Sequence, residues 1–243
     1  MIFKGTSWLV EICWLLLHGI NIDRVKELNA TDRYVFLEMT SQPSAIMEPP
    51  FVAETHVLFE TARKLVEDKK KVIVGIRNPK DTLVSWYHFC RMNKVMGLFP
   101  GNWSQFMTLY KAGKIPYGDY FDNVLSWWNE RHRENILVVF YEDVKHQPFS
   151  TIKNISAFLG KDYSDSDIQR VVDWTAFSNI KNQPMSNYTK GRIATILKPE
   201  ISPYMRKGTP GDWKNYFRNE DNIYIDDLCK SRALPRGLSF KFE

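Results

Sequence analysis

The sequence predicts an α/β protein, a single domain with a central parallel sheet flanked by helices. Two continuous apolar runs, residues 72–76 and 136–141, have the length and β-branched content of fully buried parallel strands. Segments in which apolar residues recur at helical spacing precede and follow both runs. Because buried strands that alternate with helices are typical of a parallel sheet, these patterns favour an α/β fold. We find no internal repeat, low-complexity tract or linker, so we expect one domain.

The remaining elements follow from the same patterns. A first helix is expected behind Gly5-Thr6-Ser7, because Trp8, Ile12 and Leu15 recur at helical spacing. Further helices are expected at residues 60–70, 81–89, 102–112, 119–131, 152–159, 165–175 and 212–227, and short strands at 1–3, 34–38 and 238–242. Residues 178–213 are polar and rich in proline. A loop of this length in a compact domain is usually functional or a lid.

Composition indicates a soluble globular protein, with 44% hydrophobic and 25% charged residues. A net charge of +5 favours an anionic partner, but the cations are not clustered, which makes nucleic acid a weak option. The three cysteines match neither a disulfide framework nor a zinc spacing and suit a reducing compartment. No apolar run reaches the length that a membrane span requires. Glu11 and His18 interrupt the apolar stretch near the N-terminus, which favours a buried helix over a secretory signal.

The segment 71–89, KVIVGIRNPKDTLVSWYHF, holds the first candidate site. It reads as a strand, a tight turn at Asn78-Pro79, and a helix. A ligand of an open α/β sheet binds at the carboxyl ends of the strands. Arg77 at the strand end and Ser85 in the helix could both face an anion there. The alternative is an ordinary strand–helix corner with a solvated arginine.

Two more segments could bind an anion. Lys4-Gly5-Thr6-Ser7-Trp8 combines a cation with the free N–H groups of a helix N-terminus, although a plain capped helix start explains it equally. The Walker phosphate-binding pattern is absent, because no glycine lies at the required distance before Lys4. Arg206-Lys207-Gly208, in the proline-rich loop, joins two cations to a glycine and suits a phosphate.

His56 follows the apolar triplet Phe51-Val52-Ala53 and Glu54-Thr55. A single histidine in such a place is usually structural. Histidine is nevertheless the side chain best suited to accept a proton near neutral pH.

Taken together, these segments resemble the cytosolic sulfotransferases. The matching segments are KGTSWLVEI at 4–12, TH at 55–56, RNPKDTLVSWYHF at 77–89, FYEDVK at 140–145, WTAF at 174–177, NQPMSNYT at 182–189 and RKGTPGDWKNYF at 206–217. The resemblance covers nearly the whole chain. It implies a P-loop NTPase-like sulfotransferase fold and transfer of a sulfuryl group from 3′-phosphoadenosine 5′-phosphosulfate (PAPS), as co-substrate, to a hydroxyl or amine. It also implies a small-molecule acceptor such as a phenol or steroid, a cytoplasmic location, and no metal, nucleic acid or membrane partner.

The resemblance also implies a role for each matching residue. Lys4, Gly5, Thr6, Ser7 and Trp8 match the loop that grips the 5′-phosphosulfate, with Trp8 on the adenine. The other cofactor-binding matches are Arg77 and Ser85 for the 3′-phosphate, Arg206, Lys207 and Gly208 for a second clamp on it, and Tyr141, Thr175 and Phe177 for the adenine pocket. His56 matches the catalytic base that accepts the acceptor's proton, and Lys4 is the candidate for the family's catalytic lysine.

Four departures from the family pattern bear on activity and assembly. Met1 stands almost on the phosphosulfate loop, so we expect the domain at 1–243 to lack an N-terminal strand and part of the acceptor pocket. Phe3 takes the place of the loop lysine, with Lys4 one position later, and Glu54 stands where the family often has lysine. The dimer motif keeps Lys214 but not its other marked residues, so we expect homodimerisation by that motif to be weakened.

Two alternatives to an active sulfotransferase follow from the sequence. One is a shortened, catalytically impaired variant that only binds the bisphosphate nucleotide. The other is a P-loop nucleotide kinase, which the missing Walker spacing disfavours.

Overall fold

The computed structural model describes residues 5–39 and 48–243, without the side chains of Met39 and Arg192. The strand expected at residues 1–3 lies outside the described residues. No helix within the described ranges is long and apolar enough to cross a membrane.

The two apolar runs form neighbouring parallel strands, β3 (Val72–Ile76) and β4 (Ile136–Phe140), with Val74 opposite Val138. A second parallel pair joins β1 (Tyr34–Phe36) to β2 (Val52–Glu54). Both pairs are parallel, as the alternation of strands and helices predicts. The predicted α/β fold is confirmed.

Twelve α-helices surround the strands in the described part of the chain. They are α1 (Thr6–Leu17), α2 (Ile22–Glu27), α3 (Phe59–Glu67), α4 (Pro79–Met92), α5 (Trp103–Lys111), α6 (Tyr120–Trp128), α7 (Tyr141–His146), α8 (Pro148–Leu159), α9 (Asp165–Thr175), α10 (Phe177–Asn182), α11 (Arg192–Ile196) and α12 (Asn219–Leu228). Several of these helices begin with residue types that favour the start of a helix, such as a capping asparagine or a proline at the first position. Asn78 caps α4 ahead of Pro79 at its first position, and Asn102 forms a capping box with Gln105 at α5.

Apolar side chains pack on both faces of the β3–β4 pair. Val74 and Ile76 belong to a core that includes side chains of α3 to α6, whereas Val139 belongs to a second core with α1, α8 and α9. Successive side chains of a strand point to opposite faces, so a strand buried on both faces needs a continuous apolar run. This is why residues 72–76 and 136–140 lack the polar alternation of a half-exposed sheet.

Several element predictions need correction. The second long strand ends at Phe140, because Tyr141 already begins α7. The helix expected at 212–227 is a 3₁₀ turn at Asp212–Asn215 followed by α12. The irregular segment 178–213 contains most of α10 and all of α11.

The strand expected at 238–242 does not form. Leu238 is fully buried, and the Phe240 ring packs against Tyr120 and Phe121. The apolar alternation of this segment therefore reflects side-chain burial and not backbone pairing.

Candidate functional site

A cavity of about 800 Å³, open to solvent, lies at the carboxyl ends of β3 and β4. The residues that directly follow these strands, Arg77 and Tyr141, both line it. The predicted site residues along its wall are Gly5, Ser7, Trp8, Arg77, Ser85, Tyr141, Thr175, Phe177, Arg206, Lys207 and Gly208. Ligands of open α/β sheets bind at this edge. Five separate segments of the chain thus meet at one cavity.

Three predicted site residues are not among those lining it. Lys4 lies outside the described residues. Thr6 is the first residue of α1, and its side chain hydrogen-bonds the Glu54 carboxyl instead. His56 lies beyond Glu54, outside the cavity wall.

Arg77 is held by contacts on several sides and is only 8% exposed. Its guanidinium lies 4.2 Å from the centre of the Tyr141 ring, a cation–π geometry. Its Nη2 donates to the Thr209 carbonyl oxygen at 3.2 Å and lies 3.6 Å from the Asp81 carboxylate. These contacts fix the guanidinium at the end of the strand. Its N–H donors are therefore already oriented for a ligand phosphate.

Ser85 faces the same cavity from α4 and is 2% exposed. Its hydroxyl oxygen has no hydrogen-bond partner among the described residues, and neither does the indole nitrogen of Trp8. A buried polar atom without a partner costs free energy. Both groups are therefore available to a ligand that brings an acceptor.

The Arg206-Lys207-Gly208 turn, called the late turn below, brings two cations to the cavity, and both pair with one carboxylate. Arg206 Nη2 lies 2.6 Å from Asp212 Oδ2, and Lys207 Nζ lies 2.5 Å from Asp212 Oδ1. Burial alone would raise the pKa of Asp212, but hydrogen bonds from Lys207, Asn215 and Arg206 outweigh it and lower the pKa to about 2. The carboxylate thus stays ionised and holds the two cations in place.

Gly208 allows this turn to approach an aromatic ring closely. Its φ is +69°, and a Cβ built there would lie 2.1 Å from a carbon of the Phe177 ring. Only glycine fits both the backbone conformation and the contact.

Aromatic side chains form another part of the wall. The Trp8 and Tyr141 rings meet edge to face at 5.5 Å between centroids, and Phe177 lies on the same wall. Thr175 is buried there, with its hydroxyl donated to the Val171 carbonyl of its own helix. Flat apolar faces beside cations suit a heteroaromatic ring that carries phosphates.

Sequence reasoning missed the residues that hold the cavity segments together. Asp81 accepts hydrogen bonds from the backbone N–H groups of Gly211 at 2.8 Å and Trp213 at 3.0 Å. It ties the start of α4 to the loop at residues 206–213, called the late loop below. Its position in the first turn of a helix was the available signal, since acidic residues are favoured there. That signal did not reveal its distant partners.

A second missed contact joins the ends of the two central strands. Glu142, fully buried in the first turn of α7, accepts from the backbone N–H of Asn78 at 3.0 Å and from its side-chain amide at 2.9 Å. This bond fixes the turns that carry Arg77 and Tyr141 relative to each other.

A third missed group is a buried ion pair between Glu11 of α1 and Arg33. Glu11 also accepts from the Trp174 indole at 2.8 Å and the Ser186 hydroxyl at 3.2 Å, and Arg33 donates to the Met185 carbonyl oxygen at 3.0 Å. The network joins α1 and α9 to the NQPMSNYT segment. Breaking such a buried pair leaves an uncompensated charge, so it strongly constrains these elements.

His56 lies between two carboxylates. Its Nδ1 is 3.5 Å from Glu38 Oε1, and its Nε2 is 3.7 Å from Glu54 Oε1. The His56 backbone N–H donates to Glu38, and its carbonyl oxygen accepts from the Asn123 amide at 2.9 Å. Burial lowers the pKa of the imidazole to about 4, although Glu38 works in the opposite direction. His56 is therefore neutral at pH 7, as a proton acceptor must be.

Glu54, which stands where the resemblance gives lysine, is buried. Burial raises the pKa of its carboxyl to about 7, against hydrogen bonds with Tyr34 and Thr6. At neutral pH the group is partly protonated. The electrostatic cost of a carboxyl beside an anionic donor is correspondingly reduced.

Aromatic rings lie beside His56. The Phe36 and Tyr117 rings lie 5.2 Å and 5.6 Å from the imidazole, and Trp86 follows at 5.9 Å from Tyr117. A smaller cavity of about 300 Å³ opens beside Tyr117 and Trp86. The described residues contain no cluster of three metal-ligating side chains.

Comparison with known proteins identifies relatives over the whole of this architecture. The family model described as "Sulfotransferase domain" matches residues 4–236. Sulfotransferase 1B1 of Mus musculus is 35% identical over 246 residues, which cover 98% of this chain and 82% of the relative. Sulfotransferase 1C2 of Rattus norvegicus is 33% identical, with 99% and 83% covered. Sulfotransferase 1A1 of Mus musculus is 35% identical, with 98% and 84% covered.

Solved structures agree with these relatives. Retinol dehydratase in a complex with retinol and PAP matches with a TM-score of 0.86 at 25% identity, over 98% of this chain and 80% of that one. Mouse sulfotransferase SULT7A1 complexed with PAP matches with a TM-score of 0.67 at 27% identity, over 87% and 88%.

Proposed function

Because the chain belongs to the sulfotransferase family, we propose that the cavity beside Trp8 binds PAPS and that His56 starts transfer to a small acceptor. The enzyme transfers a sulfuryl group from PAPS to a hydroxyl or amine. The residue roles below are our proposal. One observation carries them: predicted site residues from five separate segments line a single cavity.

Arg77 and Ser85 would bind the 3′-phosphate. The guanidinium is already oriented by Tyr141 and Thr209, and the Ser85 hydroxyl has no partner among the described residues. Charge-assisted hydrogen bonds to phosphate are the strongest that such groups make. The Arg206-Lys207-Gly208 turn, anchored through Asp212, would close on the same phosphate.

The 5′-phosphosulfate would lie at the N-terminus of α1. Gly5 and Ser7 line the cavity there, and the first N–H groups of a helix attract an anion. Lys4, the residue before, is proposed to reach the bridging oxygen and so to favour departure of the bisphosphate. The adenine would lie among Trp8, Tyr141 and Phe177, with Thr175 closing that end.

His56 would accept the proton of the acceptor. As that proton moves to the imidazole, the acceptor oxygen or nitrogen forms a bond to sulfur. The bond between sulfur and the bridging oxygen breaks at the same time, and the electron pair leaves with adenosine 3′,5′-bisphosphate. A positioned base contributes typically about 10²–10⁴-fold, and the fixed cations supply the rest through positioning and charge stabilisation.

The acceptor would lie against the rings of Phe36, Tyr117 and Trp86, next to His56. Flat apolar walls suit a phenol, a steroid or an aromatic amine. We propose a cytoplasmic location for this reaction, since Cys13, Cys90 and Cys229 are free thiols.

The dimer motif that the sequence retains only in part lies near the C-terminus. Lys214, the lysine that remains of the dimer motif, pairs with Glu243 of its own chain. We propose that this pairing further weakens homodimerisation through the degraded motif.

The experiment that tests the proposed base is His56→Ala. We expect sulfate transfer from PAPS to a panel of phenols, steroids and amines to fall below detection, because the variant lacks the proposed base. Affinity for adenosine 3′,5′-bisphosphate, measured by calorimetry, should stay within a few fold. An exposed histidine, His132→Ala, serves as the control.

Transfer by the His56→Ala variant at nearly the wild-type rate would contradict the role of His56. Bisphosphate binding by the wild-type chain without any transfer would instead select the impaired, binding-only alternative. Tight ATP binding in place of bisphosphate binding would select the kinase.

A further inference from the structure

Glu38 lies against His56 through two of its groups. Its Oε1 accepts the His56 backbone N–H and is 3.5 Å from the ring nitrogen Nδ1. The same oxygen therefore holds both the backbone and the ring of one residue. Glu38 comes from the 3₁₀ turn Leu37–Met39 that follows β1, while His56 follows the paired strand β2.

The two ring nitrogens have different surroundings. Nδ1 is fully buried and has no hydrogen-bond partner among the described residues, and the Glu38 carboxylate lies 3.5 Å from it. Nε2 is 3.7 Å from Glu54 Oε1, slightly farther than Nδ1 is from Glu38, and within the described part of the chain no backbone bond from His56 holds that carboxylate beside it. A carboxylate close to one nitrogen favours the tautomer with the proton on that nitrogen. The other nitrogen is then left as the base.

We infer that Glu38 is a positioning residue for the proposed base: it keeps a proton on Nδ1 of His56, so that Nε2 is free to accept the acceptor's proton. The inference rests on the proposed function of His56. Once the imidazole is doubly protonated, the carboxylate also stabilises the charge that has formed.

The other groups that face His56 do not take this role. Glu54 lies on the Nε2 side and is hydrogen-bonded to Tyr34 and Thr6, and burial raises the pKa of its carboxyl. Tyr117 presents its ring to the imidazole. For Glu38, burial would raise the pKa, but its contacts with the ring and the backbone N–H of His56 outweigh that and lower it. Glu38 is thus the ionised neighbour at neutral pH.

The tautomer can be observed directly by NMR on protein labelled with ¹⁵N-histidine. His56 is identified by the loss of its signals in His56→Gln. In the wild type we expect the shifts of a neutral ring protonated on Nδ1. In Glu38→Ala we expect a mixture of both tautomers, because the carboxylate that selects Nδ1–H is gone. The exposed Glu67→Gln variant is the control.

Glu38→Gln separates the charge from the shape of the side chain. It retains an oxygen that can accept from the backbone N–H, so it should fold even where Glu38→Ala does not. Loss of the negative charge should lower the His56 pKa and move the acid limb of kcat/KM to lower pH. We expect kcat to fall about 10–100-fold, as it does when the partner of a metal-bound histidine is removed, with little change in KM for PAPS.

Two results would overturn the inference. One is a His56 tautomer and pKa in Glu38→Gln that equal those of Glu67→Gln. The other is a loss of kcat that merely follows the fraction of protein able to bind bisphosphate in calorimetry, which would indicate a structural role. Neither result depends on the His56→Ala assay: that assay tests the base itself, whereas the ring shifts test what Glu38 does to it.

Discussion

At the scale of single residues, Gly208 gives the sharpest prediction. In Gly208→Ala the new Cβ would lie 2.1 Å from the Phe177 ring, and the φ of +69° would be strained. We expect a cost of about 1–2 kcal/mol from the backbone conformation alone. We also expect at least a tenfold loss of bisphosphate affinity, because the clash displaces the Arg206-Lys207 turn or the ring. Calorimetry and thermal unfolding measure the two effects separately.

Gly237→Ala is a matched control for that change. Gly237 has nearly the same φ, +72°, but a Cβ there meets nothing within 4 Å. It should lose similar stability and keep its affinity for bisphosphate. Equal affinity in the two variants would show that close approach to Phe177 does not matter for binding.

The cations and the aromatic residues around the cavity could be predicted from the sequence, because they lie in short segments that resemble a family. Glu11 and Glu38 could not. Glu11 finds its partner Arg33 22 positions away and its partner Trp174 163 positions away. Neither distance leaves a local pattern, so Glu11 indicated only that the apolar stretch near the N-terminus is interrupted.

At the scale of elements, the contact between α4 and the loop at residues 206–213 fixes the position of the Arg206-Lys207-Gly208 turn. In Asp81→Asn one side-chain oxygen is replaced by an NH₂ group, which would face a backbone N–H of Gly211 or Trp213. Leaving such a buried donor unpaired costs about 1–3 kcal/mol. We expect faster hydrogen exchange at both amides and weaker bisphosphate binding.

The exposed carboxylate of Asp173, which accepts from Gln169 within α9, provides the control for Asp81→Asn. Asp173→Asn should leave exchange in the late loop unchanged. If Asp81→Asn also leaves it unchanged, the loop is held by other contacts and Asp81 is not its anchor.

The elements that the sequence predicts well are those whose pattern depends on burial from both sides. Residues 72–76 form β3 as expected, since a continuous apolar run suits a strand covered on both faces. Residues 238–242 also alternate, but their backbone has no partner strand and their side chains fill a gap beside α6. Apolar pattern indicates burial, and it cannot by itself specify hydrogen-bond pairing.

At the scale of the whole molecule, the cavity joins parts of the chain that are far apart in sequence. Trp8 comes from the first helix, Arg77 directly follows β3, and Arg206 comes from the late loop. A ligand that contacts all three must lose every contact when the chain unfolds. Its binding free energy therefore adds to the stability of the whole domain.

We expect adenosine 3′,5′-bisphosphate at about 100 times its dissociation constant to add about 2.7 kcal/mol to the free energy of unfolding. For a chain of 243 residues this corresponds to a rise in Tm of roughly 5–10 °C. Adenosine 5′-phosphate at the same concentration is the control, because it lacks the group proposed to meet Arg77, Ser85 and the late turn. It should raise Tm far less. Equal shifts for both nucleotides would mean that the 3′-phosphate makes no contact with these residues. The stabilisation would then come entirely from the parts that the two nucleotides share, the adenosine and the 5′-phosphate.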